Sequence, residues 1–234
     1  MIGLLDKTTP IGLDVGARGV RAVQMRRSSD CWTVRHAARY DYAVDAAAES
    51  SEAAPSPGEG VRACFRTAEF AGRRVVAALD SPVAQFHALE LPPGISQKGT
   101  ELARAVAFEV ERLSTVPPGG IEMRHWSLPE PRGVAPNAIG MAAPREAVME
   151  AVSFCEAAGL NCLKVDAAAA ALGRFGSLLE RWDSEAAWGI LDVGSRRARL
   201  VLCVEGVPVL IRPAGVGGAA WTKSIAESLQ ISLK

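Results

Sequence analysis

The chain has no excess of either charge sign. Its 234 residues contain 26 Lys and Arg against 26 Asp and Glu, so the formal net charge at pH 7 is zero. Proteins that bind nucleic acid or an anionic membrane surface through long-range attraction carry a basic excess. The charge balance therefore predicts no nucleic-acid partner.

Long apolar runs are also missing. No run approaches the roughly 20 residues that a membrane-spanning helix needs, and the first residues lack the pattern of a signal peptide. We therefore expect no direct insertion into a membrane, so any membrane role has to come through a partner. Hydrophobic residues still make up 49% of the chain, enough for a sizeable core.

Metal-binding and disulfide patterns are absent as well. The five cysteines (Cys31, Cys64, Cys155, Cys162, Cys203) form no CxxC pair, and the three histidines (His36, His87, His125) are isolated. Neither a zinc site nor a catalytic dyad is predicted. Most of the cysteines lie in apolar stretches, which favours buried, reduced thiols in a cytosolic protein.

The chain does contain a repeat. The segment IGLDVGARGVRAVQM at 11–25 returns as GILDVGSRRARLVLC at 189–203. The identical pairs are Leu13/Leu191, Asp14/Asp192, Val15/Val193, Gly16/Gly194, Arg18/Arg196, Arg21/Arg199 and Val23/Val201. Each copy reads as an apolar strand, an Asp-x-Gly turn and a second, alternating strand.

The residues of the repeat suit phosphate binding. Glycine lets the backbone come close to a ligand, exposed N–H groups can hold phosphate, and an aspartate can bind the accompanying divalent cation. Two such turns are expected to face one anion. A single Asp-x-Gly after a strand is usually only a turn, but finding it twice with matching flanks favours a two-lobed phosphate-binding architecture.

The rest of the chain alternates between strand and helix patterns, which predicts α/β layers. Helices are predicted at 60–71, 97–113, 144–159, 167–181 and 218–229. Outside the repeat, strands are predicted at 32–40, 74–79, 83–91, 121–128, 137–142, 160–165 and 207–212. Residues 41–60 hold five acidic residues, two prolines and no Lys or Arg, which is typical of a surface loop.

With the repeat in view, the chain resembles the actin-like ATPase superfamily, and within it the PilM family of type IV pilus assembly proteins. The two copies of the repeat are similar to the phosphate loops of that family. VDAAAAALGRF resembles its connecting helix, ELARAVAFEVERLSTVPPGGIEMRHW its inserted subdomain, and GVGGAAWTKSIAESLQIS the turn and helix after the second loop. The resemblance covers nearly the whole chain in order.

The resemblance implies an α/β, actin-like (ribonuclease H-like) two-lobed ATPase fold with an inserted small α+β subdomain. The first lobe is expected at 1–81 together with 160–184, the inserted subdomain at 82–159, and the start of the second lobe at 185–234. Relatives continue beyond the point that matches Lys234 into a further subdomain with an adenine-contacting motif. The second lobe is therefore expected to be incomplete, which exposes an apolar face and favours a homodimer.

The resemblance also implies a function. PilM-like proteins are cytoplasmic scaffolds, peripheral to the inner membrane through their partners. They bind ATP with Mg²⁺ and hold the short N-terminal cytoplasmic tail of a PilN-like inner-membrane protein beside other proteins of the pilus platform. A nucleotide-binding scaffold is expected here rather than a committed catalyst.

Site residues follow from the resemblance position by position. The first loop would contribute Asp14, Gly16, Ala17, Arg18 and Arg21. The second loop would contribute Asp192, Gly194, Ser195 and Arg196, followed by Gly217, Gly218 and Thr222 near the nucleotide sugar and phosphates. Asp14 and Asp192 are the predicted metal ligands, and Asp166 is the candidate for orienting a metal-bound water. Many relatives have a residue with a side-chain hydroxyl at the position that Ala17 occupies here.

Ordinary structural roles compete with these assignments. Asp166 would also suit a cap for the helix that follows it, and Gly217-Gly218 a plain helix entry. The arginines at 196, 197 and 199 could grip phosphates, although alternation on a strand favours a solvated face. The stripe of Leu102, Val106, Val110 and Leu113 is more often core than peptide groove, and Trp126, Trp188 and Trp221 are expected to be packing residues.

Other functions stay open at this point. A phosphotransferase or ATPase of the actin–Hsp70–sugar kinase superfamily is one alternative, although no acceptor-site motif of a sugar kinase is visible. The cytoplasmic component of a type II secretion platform is another, but it normally continues into a membrane helix. A cell-division relative of actin is a further alternative, but it would carry a membrane-binding C-terminal helix, and no such helix is expected here.

Overall fold

The computed structural model describes residues 7–28, 31–42, 57–92, 99–117, 119–129, 136–179 and 187–232. The strands are β1 Lys7–Gly16, β2 Gly19–Ser28, β3 Cys31–Asp41, β4 Arg74–Leu79, β5 Gln85–Leu89, β6 Ile121–Ser127, β7 Ala138–Pro144, β8 Asn161–Ala167, β9 Ala187–Val193, β10 Arg197–Val204 and β11 Val207–Val216. The helices are α1 Pro57–Arg66, α2 Thr100–Leu113, α3 Arg145–Ala157, α4 Ala168–Leu179 and α5 Gly218–Leu229.

Each predicted helix and strand is present, with shifts at the ends. Helix α1 ends at Arg66 rather than at 71, because the Thr67 hydroxyl and the Thr67 N–H both donate to the Cys64 carbonyl and close the last turn. The strand predicted at 83–91 is shorter, at Gln85–Leu89. Most of the acidic loop predicted at 41–60 lies outside the described residues.

The chain divides into two compact units. The first comprises residues 1–79, 150–166 and 218–234, and the second comprises 80–149 and 167–217. The lobe and subdomain boundaries expected at 81 and 159 stay predictions.

The first unit is built on a five-stranded sheet in the order β3-β2-β1-β4-β8. Strands β1, β2 and β3 form antiparallel neighbours, while β4 runs parallel to β1. The alternation predicted for β2 holds, since Val20 and Ala22 are buried while Arg21 is exposed. The side chains of Val20 and Ala22 pack with Val61 and Cys64 of α1 in one apolar cluster.

The second unit contains two three-stranded sheets, in the orders β11-β10-β9 and β5-β7-β6. Helix α2 lies against the latter, with Leu102, Val106 and Val110 buried. These three confirm that the stripe is core. Leu113, the fourth member of the stripe and the last residue of α2, is exposed instead.

Helix α4 packs on the other sheet of this unit. Ala169 of α4 joins Trp188, Val201 and Cys203 in a buried cluster. A side chain at Gly176 would collide with the Trp188 ring, so the small residues of α4 allow helix and sheet to approach closely.

The packing role expected for three tryptophans is confirmed for two of them. Trp188 is buried, and Trp126 donates its indole N–H to the Pro208 carbonyl. Trp221 is exposed on α5 together with Ile225 and Leu229. The prediction for Trp221 was wrong, since Ala226 is the buried residue of that helix.

The expectation for the cysteines is confirmed for most of them. Cys64, Cys155 and Cys203 are buried, whereas Cys31 is exposed, and all five are free thiols. Burial raises the pKa of Cys155 to about 12 and that of Cys203 to about 11. Both thiols therefore stay protonated at neutral pH.

Among the described helices, none has the length and apolar character required to cross a bilayer.

Candidate functional site

The first copy of the repeat forms a tight turn between β1 and β2. Ala17 and Arg18 occupy the turn and are exposed, while Gly16 and Gly19 face each other in the ladder. A side chain at Gly19 would collide with the Tyr40 carbonyl on β3. Tyr42 N–H donates to the Arg18 carbonyl at 3.0 Å, which fixes the turn from the other side.

The second copy forms the turn between β9 and β10. The Gly194 N–H donates to the Arg197 carbonyl at 3.0 Å, so Gly194, Ser195 and Arg196 make a closed loop. Gly217 lies directly against this loop, and its N–H donates to the Arg196 carbonyl at 3.1 Å. A Cβ at Gly217 would overlap the backbone of the loop, so glycine is required there. The structure thus brings the residues predicted for the second loop together with Gly217.

Each turn carries an aspartate–arginine ion pair at the same place. Asp14 is opposite Arg21 in the β1–β2 ladder, and Asp192 is opposite Arg199 in the β9–β10 ladder. In the first copy, Asp14 Oδ2 and Arg21 Nη1 are 3.6 Å apart, and the two side chains are 52% and 54% exposed. In the second copy, Asp192 Oδ2 and Arg199 Nε are 2.9 Å apart.

The solvated strand face that the sequence favours for the arginines at 196, 197 and 199 is wrong for Arg199. Its side chain is only 14% exposed, so it does not belong to a solvated face, whereas Arg196 and Arg197 are exposed. Its Nη2 also forms an ion pair with Asp80 Oδ1, just after β4. The identity of Arg21 and Arg199 within the repeat was the available signal, but nothing in the sequence indicated Asp80.

The remaining predicted site residues lie at starts and ends of elements. Asp166 is next to the last residue of β8, two positions before α4, and is partly buried. Gly218 is the first residue of α5, and the Thr222 hydroxyl donates to the Gly218 carbonyl at 2.9 Å. Asp14 and its loop belong to the first compact unit, while Asp192, its loop and Gly217 belong to the second.

A cluster of protein ligands for a metal ion is absent from the described residues, where no three His, Cys, Asp or Glu side chains come together. Magnesium bound with a nucleotide does not require one, because one or two carboxylates, phosphate oxygens and water complete its octahedron. Asp14 and Asp192 each offer a single carboxylate, already paired with an arginine. The donor set fits a metal that arrives with phosphates and does not fit a protein-only cage.

Two small cavities lie beside β5 and β11 within the second unit. One has a volume of about 150 Å³ and is lined by Arg199, Phe86 and Ile211, among others. The other has about 220 Å³ and is lined by His87, Leu113 and Leu210, among others. Ligand pockets of nucleotide size hold about 300–1,000 Å³, so neither cavity takes a nucleotide. Arg199 Nη1 and His87 Nε2 are buried without a hydrogen-bond partner, and an ordered water could satisfy each.

Comparison with known sequences identifies one family. The sequence profile described as "Type IV pilus assembly protein PilM" matches residues 12–234, which is nearly the whole chain. No curated protein sequence matches the chain significantly.

Solved structures give the fold. A chain of the PilM–PilN type IV pilus biogenesis complex superposes with a TM-score of 0.70 at 21% identity, covering 95% of this chain and 66% of that one. This chain thus spans slightly less than two thirds of that relative. The cytoplasmic domain of EpsL, an inner membrane component of the type II secretion system of Vibrio cholerae, gives 0.54 at 13% identity, covering 97% and 78%.

These matches confirm the α/β actin-like fold expected from the repeated turns. The profile match extends from the first Asp-x-Gly turn through the second turn and α5, so it contains both copies of the repeat. The chain belongs to the type IV pilus assembly protein PilM family.

Proposed function

We propose that this chain is a cytoplasmic scaffold protein of type IV pilus assembly, held at the inner membrane through its partners. It binds ATP and the short cytoplasmic tail of a PilN-like inner-membrane protein, next to other proteins of the pilus platform. The observation that carries the proposal is the profile match over residues 12–234. The superposition on a chain of the PilM–PilN complex supports the choice of partner.

ATP is proposed as the ligand of the two Asp-x-Gly turns. Ala17 and Arg18 would offer N–H groups in the first turn, and Ser195 and Arg196 in the second, while Gly16 and Gly194 would let phosphate approach the backbone closely. Arg21, Gly217, Gly218 and Thr222 complete the proposed set, with Asp166 as the residue that would orient water. A bound Mg²⁺ would neutralise phosphate charge, with Asp14 and Asp192 as its predicted carboxylates. Ala17 lacks the hydroxyl of many relatives, which costs about 0.5–1.5 kcal/mol if that contact is neutral.

Nucleotide binding is tested by substitution of one glycine in β1. Gly16→Val fills the space that a phosphate must approach, yet the nearest atom to its Cβ is the Gly19 carbonyl oxygen at 3.6 Å, so the strand tolerates it. Gly12→Val is the matched control, with the Val23 carbonyl oxygen at 3.7 Å. We expect calorimetric titration with ATP to show about tenfold weaker binding for Gly16→Val alone. Equal affinities for both variants would contradict the proposed turn.

The tail of the partner is tested separately from ATP. The inserted segment carries an exposed apolar residue, Phe108, whose side chain on α2 is 69% exposed. Extended peptides bind through backbone hydrogen bonds and apolar pockets, so Phe108→Ser is expected to weaken binding of a synthetic PilN N-terminal tail. Val34→Ser, at another exposed apolar residue on β3, is the control. No binding of the tail under conditions in which a longer relative binds it would overturn this part.

In this function ATP is a bound ligand and is not consumed as a substrate. We expect no sustained phosphate release above that of a heat-inactivated sample. Steady ATP hydrolysis that disappears in both Asp14→Ala and Asp192→Ala would contradict the scaffold function and favour an ATPase or phosphotransferase.

A further inference from the structure

Two thiols of the first unit lie against each other. Cys155, in the last turn of α3, is fully buried, and Cys162 is the second residue of β8. Both side chains belong to the apolar cluster that contains Val20 and Val61. The Cys155 thiol donates a hydrogen bond to the Cys162 sulfur, and the Cys162 thiol donates to the Lys164 carbonyl oxygen at 3.4 Å. The two sulfur atoms are therefore direct neighbours.

The short chain between the two cysteines holds them in this position. The Leu160 N–H donates to the Cys155 carbonyl oxygen at 3.0 Å, which joins the end of the helix to the segment that enters β8. Gly159 reverses the chain with a φ of 75°, a conformation that favours glycine. Alternate residues of an extended chain point to the same face. Cys162 therefore faces the same way as Leu160, toward the cluster that also contains Cys155.

The two thiols differ in their access to solvent. Cys155 is fully buried, whereas Cys162 is partly exposed. Burial raises the pKa of Cys155 to about 12, so its sulfur stays a neutral thiol at neutral pH. Oxidants attack the thiolate form of an accessible cysteine. A small oxidant from solvent therefore reacts at Cys162 and not at Cys155.

We propose that Cys155 and Cys162 are a site of reversible oxidation, at which hydrogen peroxide converts the two thiols into a disulfide between α3 and β8. The Cys162 sulfur first takes one oxygen atom from the peroxide and becomes a sulfenic acid, and the rest of the peroxide leaves as water. This step oxidises the sulfur and reduces the peroxide by two electrons. The modification does not depend on the binding of ATP or of a PilN-like partner.

The second step joins the two sulfurs. The Cys155 sulfur attacks the sulfur of the Cys162 sulfenic acid, so that the S–S bond forms while the S–O bond breaks. The hydroxide that leaves takes up the Cys155 proton and becomes a second water molecule. Because the two sulfurs are already neighbours, this step is intramolecular and needs no diffusion of a second reactant. A thiol reductant returns both cysteines to the free form.

The test treats the full chain with hydrogen peroxide and maps its cysteines by mass spectrometry. Trypsin cleaves after Arg145 and Lys164 and releases Cys155 and Cys162 together in one peptide that contains no other cysteine. We expect this peptide to lose the mass of two hydrogen atoms and to resist alkylation until a thiol reductant is added. Alkylation of both cysteines after a peroxide dose that oxidises the exposed Cys31 would overturn the proposal.

The order of the two steps is tested with dimedone, a reagent that labels sulfenic acids. In Cys155→Ser no second thiol closes the disulfide, so we expect the sulfenic acid to persist and dimedone to label Cys162. The wild-type chain should give no label at Cys162, because Cys155 removes the sulfenic acid. In Cys162→Ser we expect Cys155 to stay a free thiol after the same treatment. Equal labelling of Cys162 in the wild type and in Cys155→Ser would show that the two thiols act independently, which would overturn the proposal.

Cys64 provides the matched control within the same cluster. Its thiol is also buried, but it donates to the Val20 carbonyl oxygen at 3.8 Å. Cys64→Ser should therefore leave formation of the disulfide unchanged. A disulfide that joins Cys162 to Cys64, detected as two linked peptides, would overturn the proposed pairing. Where Cys155→Ser does not fold, the mass of the wild-type peptide and its resistance to alkylation still decide whether the disulfide forms.

Discussion

The indole N–H of Trp126 donates to the carbonyl oxygen of Pro208 at 2.8 Å. This bond joins strand β6 of one three-stranded sheet to strand β11 of the other within the second unit, 82 residues along the chain. Phe86 packs edge-on to the same indole ring, with ring centroids 6.3 Å apart. One side chain thus links two sheets that share no strand.

Trp126→Phe is expected to lower the free energy of unfolding by about 0.5–1.5 kcal/mol, because it keeps an aromatic ring but removes the hydrogen bond. Urea unfolding followed by circular dichroism measures the change. Trp32→Phe is the control, since Trp32 lies on β3 with Arg27 over its ring at 5.4 Å and phenylalanine can keep that contact. A loss of the same size in both variants would show that the bond to Pro208 contributes nothing specific.

Gly140→Ala is expected to destabilise the protein by overpacking. Gly140 lies on β7 beneath α2, and a Cβ there would collide with Val110 and come within 3.2 Å of Leu89 Cδ1. Inserting a methyl group into a filled core typically costs about 1–3 kcal/mol, which chemical denaturation would show. Gly12→Ala on β1, where ordinary van der Waals distance is available, should change stability by less than about 0.5 kcal/mol. An unchanged midpoint for Gly140→Ala would mean that α2 does not pack on β7 as described.

His87 makes stability depend on pH in a defined direction. Burial lowers the pKa of His87 below its ordinary value of 6.5, and its Nε2 has no hydrogen-bond partner. His87 therefore becomes protonated near pH 6.5 in the unfolded chain, whereas in the folded chain it becomes protonated only at lower pH. Its contribution to stability is present above pH 6.5 and is lost as pH falls from there through the folded pKa.

We expect thermal unfolding of the wild type to shift to lower temperature between pH 7 and pH 5, and His87→Leu to reduce that shift. A leucine at this position cannot take up a proton. His125→Leu, at the position across Gly140 on β6, provides the comparison. An identical pH profile for wild type and His87→Leu would be incompatible with a burial-driven shift.

Helix α5 is expected to promote self-association of the chain. Trp221, Ile225 and Leu229 are four residues apart, lie on one face and are exposed, and apolar stripes of this kind are usually covered by a partner surface. Ile225→Glu should lower the concentration-dependent molecular weight seen by sedimentation velocity. Ser224→Glu adds the same charge at the neighbouring exposed position and should leave association unchanged. A wild-type chain that stays monomeric at high concentration would refute the prediction.

Local structure in this chain follows closely from local sequence. The period of Leu102, Val106 and Val110 predicted both helix α2 and its buried face, because residues three to four apart share one side of a helix. The alternation of β2 predicted which residues enter the core. The repeat with its Asp-x-Gly turns predicted two equivalent hairpins, and both are present, with the same aspartate opposite the same arginine.

The failures share one cause, since each depends on what lies across the fold from a residue. Trp221 is a large aromatic residue of the kind that usually packs in a core, but it is 48% exposed. Arg199 has the spacing of a solvated strand residue, yet Asp80, more than a hundred positions earlier, pairs with it. No periodicity carries that information, because periodicity describes which face a side chain occupies and not which segment packs on that face.

By itself, then, the sequence determined the hairpins, the helical faces and the family, because these depend on residue order over short distances and on a repeated pattern. Only the tertiary structure decided that the two Asp–Arg pairs differ, since Arg21 is about half exposed whereas Arg199 is largely buried and lies between the carboxylates of Asp192 and Asp80. The physical reason is that the strength of an ion pair depends on how much water surrounds it and on which other charges are near, and packing of distant segments sets both.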